Sequence, residues 1–116
     1  MIKNSKKRIM KISATVSENE LELLKAYILG AVHGFTAAAD GKSFRVRDLF
    51  GAANRDWHET PIQEIYEFYH STLPHEEAAD RAGQDVGKLL RKVLTEDKYT
   101  YEEEEDGNRV CTYHRL

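Results

Sequence analysis

Cysteine is almost missing from this sequence: Cys111 is the only one. No disulfide can close within the chain, and no zinc site built on paired thiolates can form. A reducing, cytoplasmic setting is the expectation. Long apolar runs are missing too. The stretch from Ala26 to Ala39 is interrupted by Gly30, His33 and Gly34, and it is too short to span a bilayer. The first eight residues are charged but lead into no apolar core of a signal peptide. Charge of one sign is also lacking. There are 17 Lys and Arg against 20 Asp and Glu, a net −3, whereas a dedicated DNA binder is more often basic. No nucleophile elbow, phosphate-binding glycine loop or HExxH pattern occurs. The chain therefore reads as a non-enzyme that needs no cofactor and no metal.

What remains is one domain's worth of sequence, 116 residues with 41% apolar content, enough to close a core without staples. Residues 1–8 read as a basic flexible tail, and residues 9–116 as a single domain. A short strand is expected over 9–16, where apolar residues weakly alternate. Ser17-Glu18-Asn19-Glu20 is a capping box. Behind it, Leu21, Leu24, Ile28, Ala31, Val32 and Phe35 recur at helical spacing to about Ala37.

A brief strand is expected over Lys42–Val46, followed by one helical turn capped by Asp48. Thr60-Pro61-Ile62-Gln63 announces a second long helix. Pro74 then breaks the chain. A third helix runs to about Leu94 with its apolar face on Val86, Leu89, Leu90, Val93 and Leu94, and with a weak point at Gly83 or Gly87. Tyr99–Tyr101 and Val110–Tyr113 are rich in strand formers. Asp106-Gly107 between them favours a two-residue type I′ turn, which would set Glu104 opposite Arg109. The fold class that follows is α+β and mainly helical, with a C-terminal β-hairpin.

Helix, short strand, short helix, long helix, hairpin is an order that resembles the winged-helix family over residues 43–116. Ser43 to Phe50 is similar to its first strand and second helix. Val86 to Leu94 is similar to a recognition helix, and Tyr99 to Leu116 to a wing. The helix near 61–71 would be an insertion. The run Phe44…Asp48-Leu49-Phe50…Trp57 also resembles a group of small bacterial proteins of unknown function, and implies no activity. Lys11 to Leu21 resembles the strand-to-helix opening of ribbon-helix-helix repressors, a likeness that requires a strand-swapped dimer.

Two candidate surfaces follow. On the third helix, Arg81, Gln84, Lys88, Arg91 and Lys92 share the side away from the apolar stripe. Cations there suit phosphates, and Gln84 suits a base edge. The same pattern equally describes a solvated helix face whose cations suit the macrodipole. On the hairpin, Glu102, Glu103, Glu104, Glu105 and Asp106 would repel a phosphate backbone. They suit a basic protein partner, or simply a charged edge that resists aggregation.

The expected role is thus a DNA-binding or transcription-regulatory accessory protein working on double-stranded DNA. The alternative is a protein-interaction module that uses the acidic hairpin, such as a phage or mobile-element protein binding a host factor. A homodimer fits the long first helix. Trp57 is expected to plug the gap between the short helix and the second long one, His33 to be partly buried and satisfied, and Tyr66 and Tyr69 to be core or dimer contacts.

Overall fold

The computed structural model describes residues 1–3, 9–39, 43–51, 57–108 and 110–116. Within these lie α1 (Glu18–Ala39), α2 (Val46–Phe50), α3 (Ile62–His70), α4 (His75–Glu96), β1 (Tyr101–Glu105) and β2 (Cys111–Arg115). The fold is α+β and mainly helical, as the periodicities require. No helix among the described residues is long and apolar enough to cross a membrane.

Helix α1 begins where the capping box places it: the Glu20 amide donates to Ser17 Oγ at 3.1 Å. It runs to Ala39, two residues past the expected end, because nothing before Asp40-Gly41 stops it. Leu24, Ile28 and Val32 are fully buried, and Leu21, Ala31 and Phe35 half-buried beside them. Thr36 is buried within this stripe and satisfies its hydroxyl on the Val32 carbonyl at 2.9 Å.

Helix α4 is the hub on which α1 and α3 pack. Its buried face comprises Ala78, Ala79, Ala82, Val86, Leu89, Leu90, Val93 and Leu94. The helix passes unbroken through Gly83 and Gly87, where a weak point was expected at one or the other. Helical neighbours and tertiary packing outweigh two glycines. At Gly87, a β-carbon would lie 3.8 Å from Val46 Cγ2, so α2 comes close to this turn.

The expected strand over 9–16 does not form within the chain. The amides of Ser13 and Ala14 have another acceptor, the carboxylate of Asp85, at 3.2 and 3.0 Å. Asp85 sits inside the apolar face of α4, 1% exposed, and also accepts from the Tyr69 hydroxyl at 2.7 Å. Charge-assisted hydrogen bonds of this kind offset the cost of removing a carboxylate from water. One side chain thereby ties the segment before α1 and helix α3 to α4.

Two helix starts differ in detail from expectation. Asp48 does not cap α2 from outside; it lies within the helix and accepts from the Arg45 amide at 2.8 Å. Thr60 likewise does not cap α3; its hydroxyl donates to the Trp57 carbonyl at 2.7 Å. Trp57 itself is buried, donates from Nε1 to the Phe50 carbonyl at 2.9 Å, and meets Tyr66 edge-on. It fills the space between α2 and α3.

The hairpin has a different register from the expected one. Tyr101 pairs with Arg115, Glu103 with Tyr113, and Glu105 with Cys111. Glu104 therefore faces Thr112; Arg109 lies outside the described residues. The expected register would have set Tyr113 opposite Thr100, on the face away from Tyr101. The observed one puts both tyrosines on the buried face, at 0% and 3% exposure. Burying two aromatic rings outweighs the local turn preference of Asp-Gly. Asp106 then organises a longer loop, its Oδ1 accepting from the Asn108 and Val110 amides at 2.8 and 3.0 Å.

Single bridges flank this ribbon. Phe44 exchanges both backbone hydrogen bonds with Tyr113 at 2.8 Å. It is the only bridging residue of the strand expected over Lys42–Val46, and Lys42 lies outside the described residues. Ile2 bridges Tyr101 on the other side and is buried. Residues 1–3, expected within a flexible tail, are docked by the backbone hydrogen bonds of this bridge, Lys3 amide to Tyr101 carbonyl and Tyr101 amide to Met1 carbonyl, both 2.8 Å; residues 4–8 lie outside the described set. Phe44 packs against Phe35, Tyr101 and Tyr113, joining α1 to the hairpin.

Candidate binding groove and acidic hairpin

An open groove of about 750 Å³ runs along α4, between the start of α2 and the loop end of the hairpin. Its floor is apolar, with Val46, Phe50, Trp57 and Val86. Gln84, Lys88 and Arg91 enter from α4, Arg45 and Arg47 from the start of α2, and Val110 and Cys111 from β2 and the residue before it. The spacing of the α4 residues follows from helical periodicity, since positions four apart fall on one side. Asp80 lines the same groove, so its rim is mixed in charge.

The five residues expected to contact nucleic acid do not stand alike. Arg81 and Gln84 are exposed, and Gln84 donates to Asp80 at 3.1 Å. Lys92 is half-buried. Lys88 places Nζ 3.6 Å from the Asp85 carboxylate, and its side chain is only 24% exposed. Arg91 is buried, which corrects its expected place on a solvent-facing side. Its Nη2 donates to Glu103 Oε1 at 3.3 Å, and Nε lies 3.2 Å from Glu103 Oε2. The inward face of β1 carries Tyr101 and Glu103 onto α4, so the arginine meets a carboxylate rather than solvent.

Arg91 and Glu103 thus come from opposite candidate surfaces and neutralise each other. The hairpin keeps Glu102 and Glu104 on its outward face, both exposed, while Asp106 is engaged in its own loop. Cys111 is half-buried, with Sγ 3.9 Å from Glu105 Oε2. Arg45 and Arg47 were legible as Arg-x-Arg immediately before the Asp-Leu-Phe turn. The strand expected there hid their position beside α4.

A second polar cluster lies at the far end of α4. His33 Nε2 and Asp97 Oδ2 are 2.8 Å apart, and the Tyr101 hydroxyl donates to the same Asp97 oxygen at 2.6 Å. Burial pushes the Asp97 carboxyl up, but the hydrogen bonds from Tyr101, His33 and the Lys98 amide outweigh it and leave the group below its usual value. Burial, then the bond to Asp97, raises the Tyr101 phenol. Tyr113 is raised by burial and by its neighbours Cys111 and Glu103. Tyr69 is pushed up to about 12, by burial first and by Asp85 second.

His70 and His75 flank the turn into α4. Tyr66 stacks on His70 and shares a 2.7 Å hydrogen bond with His75 Nδ1. Among the described residues, no group of three or more His, Cys, Asp or Glu gathers in a way that would hold a metal ion. No family model matches the chain, and neither a curated protein nor a solved structure matches it.

Proposed function

We propose that this protein is a non-enzymatic binding module of winged-helix-like architecture, and that its groove face engages the backbone of double-stranded DNA. The observation that carries this reading is the convergence of Arg45 and Arg47 from α2 with Gln84 and Lys88 from α4 on one groove. Element order supports it, as does the Phe44 bridge that extends the hairpin on its β2 side. Arg81 and Lys92 add cations along α4. Arg91 is not counted, because it is buried against Glu103; Lys88 and Arg45 also lie 3.6 Å from a carboxylate, of Asp85 and Asp48, but keep 24% and 42% of their side chains exposed.

Contacts to about three or four phosphates imply an affinity that falls with salt at a slope of roughly −2.7 to −3.6. Fluorescence anisotropy with a labelled duplex across a salt series tests this. Arg47→Glu and Arg81→Glu are each expected to weaken binding several-fold. Absence of binding at the lowest salt rejects the reading.

One observation favours a protein partner instead. Glu102 and Glu104 stand exposed and side by side on the outward face of β1, where a basic partner would meet them. Under that reading, Glu102→Lys/Glu104→Lys abolishes capture of the partner. Under the DNA reading, the same pair of changes leaves duplex binding intact or tightens it.

A further inference from the structure

We draw no further inference here: the strongest candidate, the apolar floor of the groove along α4, where Ala79, Gly83 and Gly87 lie with Phe50 and Trp57, belongs to the site already described, and nothing in the structure shows what covers it.

Discussion

Arg91 Nη2 donates to Glu103 Oε1 at 3.3 Å, joining α4 to β1 through a pair whose side chains are only 11% and 9% exposed. Removing one partner breaks a pair held largely out of water, which costs about 3–5 kcal/mol. Arg91→Met and Glu103→Gln are each expected to lose stability on that scale in urea denaturation. The double change to Arg91→Met/Glu103→Leu is expected to recover most of it. Equal losses from both singles and their sum in the double would show that the two residues act independently.

Asp85 is a second such junction. Asp85→Ala leaves the Ser13 and Ala14 amides and the Tyr69 hydroxyl without their acceptor. Each stranded donor costs roughly 1–3 kcal/mol where water does not replace the carboxylate. Loss of a large part of the folding free energy is therefore expected. Amide hydrogen exchange gives the local signature: the Ser13 and Ala14 amides should lose protection before those of α1.

Alkaline stability follows from the tyrosines. Tyr69 is raised from 10.0 to about 12, and Tyr101 and Tyr113 are raised as well. A phenol whose pKa is higher when folded stabilises the fold fully below its unfolded value near 10 and loses that contribution as pH climbs towards the folded value. Stability is expected to decline steadily from pH 10 to pH 12. Tyrosinate absorbance should show these rings ionising late, and together with unfolding. Titration of all six tyrosines near pH 10 in a folded chain would contradict this.

The acid side has the opposite sign. Asp97 is lowered from 3.8, so its contribution is present above that pH and is lost as pH falls through the lower folded value. Replacing Tyr101 with Phe removes the hydroxyl that donates to it. Acid unfolding of Tyr101→Phe should begin at higher pH than in wild type, read by circular dichroism. An unchanged acid midpoint would mean that the Tyr101–Asp97 bond adds nothing to acid resistance.

The helices were legible because their apolar spacing is long and regular; α4 declared Val86, Leu89, Leu90, Val93 and Leu94 of its buried face, but not the small Ala78, Ala79 and Ala82. The hairpin was legible as a hairpin, but its register was not. Asp106-Gly107 is a local signal, whereas the pairing answers to Tyr101 and Tyr113 lying over a core supplied by Phe44 and α1. The same distance in sequence hid the fate of Arg91 and Asp85. A helical wheel places Arg91 on a polar side without knowing that Glu103 will lie against it. It places Asp85 near the apolar stripe without knowing that two amides from a loop will meet it.

The tie between Ala14 and Asp85 spans 71 residues, and Phe44 waits almost as long along the chain for Tyr113. A nascent chain leaving the ribosome would hold α1 with its inner face bare until α4 has emerged. Contacts of such long range slow folding and lengthen the exposure of apolar surface. Translation speed and chaperone supply should therefore influence the yield of this small protein more than its helical content suggests.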